Sequence, residues 1–245
     1  MTNEWFSILA ESRALPPDAA QELDESGFVV LPGPVPAEQV HRLARAYDAA
    51  AASAAANDVR QGSTTTRVTD FVNRGAAFDK VYIFPPVLDA CCRIIGRSFK
   101  LSSLHARTVR PCSPAQALHV DVQRGSADWP LVGFILMVDE FRTDNGATRF
   151  VPGSHRALCA PGEVMPDPGA DHEDQVLACG PAGSLLLFNG STWHGHSANT
   201  SVTPRRSLQG AFIPRDGRAG TDFAARTRPE TGERLGPLAR YVLQL

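Results

Sequence analysis

Lysine is almost missing from this chain: only Lys80 and Lys100 occur in 245 residues, and arginine carries the positive charge. The formal net charge is -2 and no basic stripe is present, so nucleic acid is not an expected partner. Long apolar runs are also missing. None approaches the roughly 20 residues that a membrane-spanning helix needs. The opening MTNEWFSILAESRALPP carries early acids and no extended apolar stretch, so it does not read as a signal peptide. Cysteine is sparse. The five cysteines, Cys91, Cys92, Cys112, Cys159 and Cys179, are odd in number and form no CxxC pair. That argues against a disulfide framework and a structural zinc, and for reduced thiols in a cytoplasm. No HExxH occurs, which speaks against a zinc hydrolase. No internal repeat is visible. What remains is ordinary globular material, 43% hydrophobic and 20% charged, long enough to bury a core.

The texture changes along the chain. ESGFVVLPGPV (25–35) predicts a short buried strand ended by Gly and Pro. PAEQVHRLARAYDAAAASAAA (36–56) predicts a helix with Pro36 in its first turn and Val40, Leu43, Ala44 and Tyr47 on one stripe. Residues 57–80 are polar and weakly periodic, the pattern of a binding loop or lid. PPVLDACCRIIG (85–96) predicts a second helix closed by Gly96. From residue 100, short apolar runs alternate with turn residues. Strands are expected near 101–110, 116–123, 131–139, 148–151, 184–189, 194–198 and 205–214, with 156–182 an excursion from the sheet. The expectation is one domain over 1–245: a helical third (1–98), a β-core (99–214) of sandwich or barrel type, and a tail (215–245).

Within ALHVDVQ (117–123), strand alternation puts His119, Asp121 and Gln123 on one face and Leu118, Val120 and Val122 on the other. A metal ion needs such an imidazole and carboxylate together, although a solvated strand face alternates in the same way. A third ligand is at hand in GSLLLFNGSTWHGHSANT, which carries His194 and His196. Two histidines and one carboxylate leave three positions open on iron(II), as oxygen activation requires. Farther on come Arg205 and Arg206. A guanidinium holds a carboxylate by two parallel hydrogen bonds. It suits the far end of a dicarboxylate such as 2-oxoglutarate, whose keto-acid end chelates the metal. Arg205 shares a strand face with Ser207 and Gln209, while Arg206 shares the other with Leu208, which favours Arg205 as the anchor.

Taken together, His119-Val-Asp121, His194 and Arg205 resemble the iron(II)/2-oxoglutarate oxygenases, and within them the phytanoyl-CoA dioxygenase and ectoine hydroxylase group. GFVVLPGPV, NGATRFVPGSH (145–155) and STWHGHSAN are similar to segments of that group, and the resemblance runs from about residue 25 to 214. It implies a double-stranded β-helix (jelly roll, cupin-like) core with the N-terminal helices packed on one sheet. It implies iron(II) bound by His119, Asp121 and His194, and 2-oxoglutarate and O2 as co-substrates. Arg205 would hold the distal carboxylate, with Thr108, Gln116 and His196 as further co-substrate contacts. Related halogenases replace the acid with a small residue, so Asp121 speaks against halogenation; hydroxylation is the default outcome the resemblance implies, with desaturation, ring closure and epimerisation open to the same ligand set.

Arg67, Asp70, Asn73 and Arg74 in the 57–80 segment are the candidate substrate contacts. A CoA thioester would favour a basic approach path, and the arginines do not clearly cluster into one; a small-molecule metabolite or natural-product intermediate is the expected substrate. His155 reads as structural, His105 as a core histidine that could also line the pocket, His41 as exposed, and Asn145 with Gly146 as a turn. Two rivals stand beside this reading. One is a cupin-type metal enzyme that does not use 2-oxoglutarate and would not need Arg205. The other is a non-catalytic binding module on the same fold.

Overall fold

The computed structural model of the chain describes residues 2–245. Its frame is an antiparallel seven-stranded sheet facing a three-stranded one. The strands are β1 (Phe28–Pro32), β2 (Val59–Gln61), β3 (Thr65–Val68), β4 (Phe99–Val109), β5 (Val132–Met137), β6 (Thr148–Phe150), β7 (Val176–Ala178), β8 (Ser184–Asn189), β9 (His194–His196) and β10 (Arg205–Pro214). The large sheet runs β1-β8-β5-β10-β4-β3-β2 and the small one β7-β6-β9. The helices are α1 (Thr2–Ser12), α2 (Pro17–Ser26), α3 (Val40–Ala52), α4 (Asp79–Tyr82), α5 (Pro85–Ile95), α6 (Pro161–Val164), α7 (Phe223–Arg226), α8 (Pro229–Arg234) and α9 (Pro237–Leu243). This is the jelly roll expected from the sequence, with helices on one sheet.

The continuous apolar runs VGFILM and SLLLFN mark strands covered on both faces. In β5 and β8, Phe134, Leu136, Leu185 and Leu187 meet the helical layer. Ile135, Met137, Leu186 and Phe188 fill the space between the sheets with Phe28, Phe141 and Phe150. The helical layer is held by α3 through Leu43 and Tyr47, by α5 through Val87, Leu88 and Cys91, and by α9 through Tyr241 and Val242. No helix among the described residues is long and apolar enough to cross a membrane.

Three expectations need correction. Residues 57–80 are not a free loop. Val59–Gln61 and Thr65–Val68 form a hairpin that extends the large sheet past β4. The segment was hard to read because edge strands of three or four residues are too short to show a period. Residues 116–123 are not a regular strand either. His119 makes one isolated bridge to His194, and the chain then bends. Pro36 precedes a single 3-10 turn (Ala37–Gln39), and the α-helix starts only at Val40. Helix α2 was not anticipated. It opens at Pro17 and ends at Gly27, whose φ of 84° is left-handed.

Candidate active site

β9 is the small strand on which the site is built. His119 and His194 exchange backbone hydrogen bonds of 2.9 Å in both directions, and the Gln116 amide donates to the His196 carbonyl. These bonds lay residues 116–119 beside β9. The approach is tight: a Cβ on Gly195 would sit 2.9 Å from the Gln116 carbonyl oxygen. The Asn189-Gly190 turn then takes over, because the Gly190 carbonyl accepts from the amides of both Asp121 and Val122. Ser191 Oγ donates to the Val122 carbonyl from the same turn. Behind the ligands Leu118, Val151 and Trp193 form a small apolar cluster of their own. The alternation read from ALHVDVQ therefore survives although the strand does not: Leu118 and Val122 are buried, and His119 and Asp121 look the other way.

One ligand atom from each of His119, Asp121 and His194 lies within 4.8 Å of the others. His194 Nε2 stands 3.9 Å from Asp121 Oδ1. His119 Nδ1 is 3.1 Å from the Ala117 carbonyl and His194 Nδ1 is 2.9 Å from the Thr192 carbonyl. A carbonyl only accepts, so each Nδ1 carries the proton and each Nε2 offers a lone pair. Burial, then the neighbouring His194, pull the His119 pKa down to about 4, which keeps it neutral. Two neutral imidazoles and a carboxylate are a donor set for a ferrous ion with positions to spare. His196 shares the strand face but is engaged elsewhere: Thr64 Oγ1 lies 2.9 Å from its Nε2.

The ligands open onto a cavity of about 270 Å³ lined also by Arg107, Gln116, Thr148, His196 and Arg205. Arg205 is 1% exposed. One of its terminal nitrogens donates to the Gly146 carbonyl at 2.5 Å and the other to Ser207 Oγ at 3.3 Å. Its guanidinium carbon stacks 4.0 Å from the Phe141 ring centre, and its Nε has no partner. Among the described residues no carboxylate pairs with it. Burial, then Arg107, lower its pKa to about 9. A buried cation without an anion is costly unless a ligand supplies one, and a carboxylate fits the gap. Arg206 lies on the outer face, held by Asp139 and Asp48. The NGA turn of the NGATRF segment presents the Gly146 carbonyl that orients Arg205, and the Asn145 side chain closes that turn by bonding Arg142 and Glu140.

The remaining candidates divide. Gln116 and His196 line the cavity, and Gln116 Oε1 accepts from Arg107 at 2.8 Å. Thr108 does not reach it. Strand alternation turns Thr108 to the helical side, where its hydroxyl meets Tyr47 of α3 at 2.9 Å, and it is Arg107 that faces inward. Arg67 lines the cavity. Asp70, Asn73 and Arg74 do not: they belong to a network with Asp58, Arg226 and Arg228 that ties the segment to the C-terminal tail. His155 packs against Gly27 away from the site. His105 lines the cavity with a buried, unpartnered Nε2, where burial and Arg67 push its pKa down to about 3. Gln209 lines the cavity on the Arg205 face, as alternation placed it, and so does His105, for which a core role was favoured. Arg107 and Thr148 were missed as cavity residues, and alternation along β4 was the available signal for Arg107.

Comparison with known proteins agrees with this geometry. Residues 23–207 match the phytanoyl-CoA dioxygenase (PhyH) family. Dioxygenase af480 of Aspergillus fumigatus is 26% identical over 240 residues, spanning 93% of this chain and 76% of the relative. Dioxygenase cdmA of Talaromyces verruculosus is 40% identical over 109 residues, 41% of this chain and only 35% of that protein's length. Among solved structures, the carbocyclase SnoK from nogalamycin biosynthesis superposes with a TM-score of 0.67 at 18% identity, covering 93% of each chain. HygX from Streptomyces hygroscopicus, solved with nickel and 2-oxoglutarate, gives 0.65 at 15% identity over 83% of this chain and 89% of its own. These two likenesses show the shared fold. The family match across most of the sequence decides the assignment: the chain belongs to the phytanoyl-CoA dioxygenase family and is an iron(II)/2-oxoglutarate-dependent, non-haem dioxygenase.

Proposed function

We propose that this protein hydroxylates a small molecule at an unactivated C–H bond, with release of succinate and CO2. His119, Asp121 and His194 would hold the iron. Arg205 would take the distal carboxylate of 2-oxoglutarate, with Gln116 and His196 beside it in the cavity. The bound ferrous ion, with O2 and 2-oxoglutarate, supplies the oxidising power that removes the hydrogen. The chain's own contribution is positional. Neutral imidazoles locked by the Ala117 and Thr192 carbonyls present fixed lone pairs. The buried Arg205 orients the co-substrate, and the walls keep the reacting bond at a set place. The observation that carries this reading is the buried Arg205 guanidinium, which has no carboxylate of its own and shares a cavity with the three ligands.

The substrate is read as a small-molecule intermediate of specialised metabolism. HygX has been solved with hygromycin B, and SnoN, an epimerase of similar fold, with nogalamycin RO. The whole activity is assigned to one domain, because one apolar core runs from α1 through the large sheet to α9. Five free cysteines suit a reducing cytoplasm. The test is oxygen-dependent conversion of 2-oxoglutarate to succinate by the iron-loaded protein. Asp121→Ala and His194→Ala should abolish it. Arg205→Ala should reduce it at limiting co-substrate. Turnover that is indifferent to 2-oxoglutarate, or to Arg205, would point to the cupin-type alternative.

A further inference from the structure

Several arginines outside the cavity are paired with acids. Arg74 meets Asp58, Arg206 meets Asp139 and Asp48, and Arg234 meets Asp79. The arginines of the cavity are not. Arg67 of β3 and Arg107 of β4 lie directly opposite each other in the antiparallel register, so both side chains leave the sheet on the same face. Both line the cavity that holds the metal ligands. Arg107 is half-buried, and its one side-chain hydrogen bond goes to the neutral Gln116. No ion pair forms at either residue among the described residues. Burial and then Arg67 lower the Arg107 pKa to about 10, and the carboxylate of Asp121 offsets the repulsion only in part. Two residues along β4, on the same face, the buried Nε2 of His105 has no partner either.

The co-substrate does not cancel this charge. Iron(II), Asp121 and the three arginines sum to four positive charges, and the 2-oxoglutarate dianion removes two. Its distal carboxylate is met by Arg205 and its other carboxylate chelates the metal, so Arg67 and Arg107 are left over. Resting on the dioxygenase reading above, we infer that Arg67 and Arg107 form a second anion site, which takes a carboxylate or phosphate borne by the substrate itself. A substrate anchored there by its anionic end presents the carbons next to that group toward His119, Asp121 and His194. Arg67, exposed at the mouth, meets the anion first, and Arg107 fixes it deeper in the wall. The substrate class is thus an anionic small molecule, and the alcohol product keeps the anion.

Calorimetric titration tests this with octanoate, octyl phosphate and octanol as probes. The protein is held under argon with iron(II) and saturating 2-oxoglutarate, and the titrations are repeated on metal-free protein. At least one anion should bind saturably, and octanol should bind at least about tenfold more weakly, since only the anion makes charge-assisted bonds. Whichever of the two anions binds better names the group. Arg67→Gln and the Arg67→Gln/Arg107→Gln pair should each weaken the anion, the pair by about tenfold or more. Arg206→Gln, on the outer face, should not. Equal binding of octanol, no saturable binding of either anion, or indifference to the arginine changes overturns the inference. So does a double variant that loses 2-oxoglutarate as strongly as it loses the probe, because the arginines would then serve the co-substrate. If the wild type forms no iron–2-oxoglutarate chelate, the dioxygenase reading fails, while the metal-free titration still reports on the two arginines.

Discussion

Arg205 and Arg206 are neighbours in sequence with opposite surroundings, and that contrast sets the first prediction. Arg205→Ala removes the buried guanidinium, so the Michaelis constant for 2-oxoglutarate should rise about tenfold to a hundredfold, the worth of a charge-assisted pair. The maximal rate at saturation should fall less. Arg206→Ala removes contacts to Asp139 and Asp48 on the outer face. Its effect should be confined to stability, at about 1 kcal/mol or less, read by denaturant titration. Equal changes in the Michaelis constant would refute the assignment. This pair was legible in the sequence, because strand alternation alone separates adjacent residues. The family resemblance, by contrast, misled once. Thr108 was placed at the site by resemblance, yet its register partner is Arg206, and both turn to the helical side. Counting from Arg205, whose partner is Val109, gives Arg107 as the inward residue two places on.

At the scale of the element, the site depends on two backbones lying closer than side chains allow. A Cβ on Gly195 would stand 2.9 Å from the Gln116 carbonyl and 3.1 Å from that of Ala117. Gly195→Ala keeps all three ligands but pushes residues 116–119 off β9. Affinity for iron(II), or for cobalt(II) as a spectroscopic substitute, should fall about tenfold or more. Unchanged affinity would show that the bridge between His119 and His194 does not set the site. The same segment is held from its other side by Arg149, which is 0% exposed. It donates to the Gln116 carbonyl at 2.8 Å and to Ala170, Asp171 and Gln175 at 3.0 Å each. Arg149→Met leaves those acceptors unmet and should cost about 2–3 kcal/mol in urea unfolding. None of this was readable beforehand. A bridge of single residues has no period, and the acceptors of Arg149 lie about 20 to 33 positions away. The long strands were readable, since VGFILM and SLLLFN carry enough apolar residues to declare themselves.

Across the whole molecule, the helices and the small sheet cover the two faces of one large sheet, and several polar groups line the cavity that cuts in. His105 and His196 lie there, with pKa values lowered by burial to about 3 and about 4. In the unfolded chain both titrate near 6.5. Between these values the unfolded state binds more protons than the folded one, so stability rises with pH. Metal-free protein should therefore lose stability as the pH falls from about 6.5 to 4, by on the order of a few kcal/mol. Denaturant midpoints across that range check it, and the His105→Gln variant should flatten the profile. A profile unchanged by that substitution would remove His105 from the account. Architecture at this scale was largely legible, because the change from a helical third to short strands with turn residues is a property of composition. The covering of residues 57–80 into the sheet edge was not, for it depends on pairing with the outer side of β4.

The most direct measurement is anaerobic. Iron(II) and then 2-oxoglutarate are added to metal-free protein, and the weak visible charge-transfer band of the iron–keto-acid chelate is followed. The wild type should show the band. Arg205→Ala should reach it only at higher 2-oxoglutarate, and Asp121→Ala should lose or alter it. Bound iron with no band in the wild type would contradict the assignment of His119, Asp121, His194 and Arg205 to one co-substrate site.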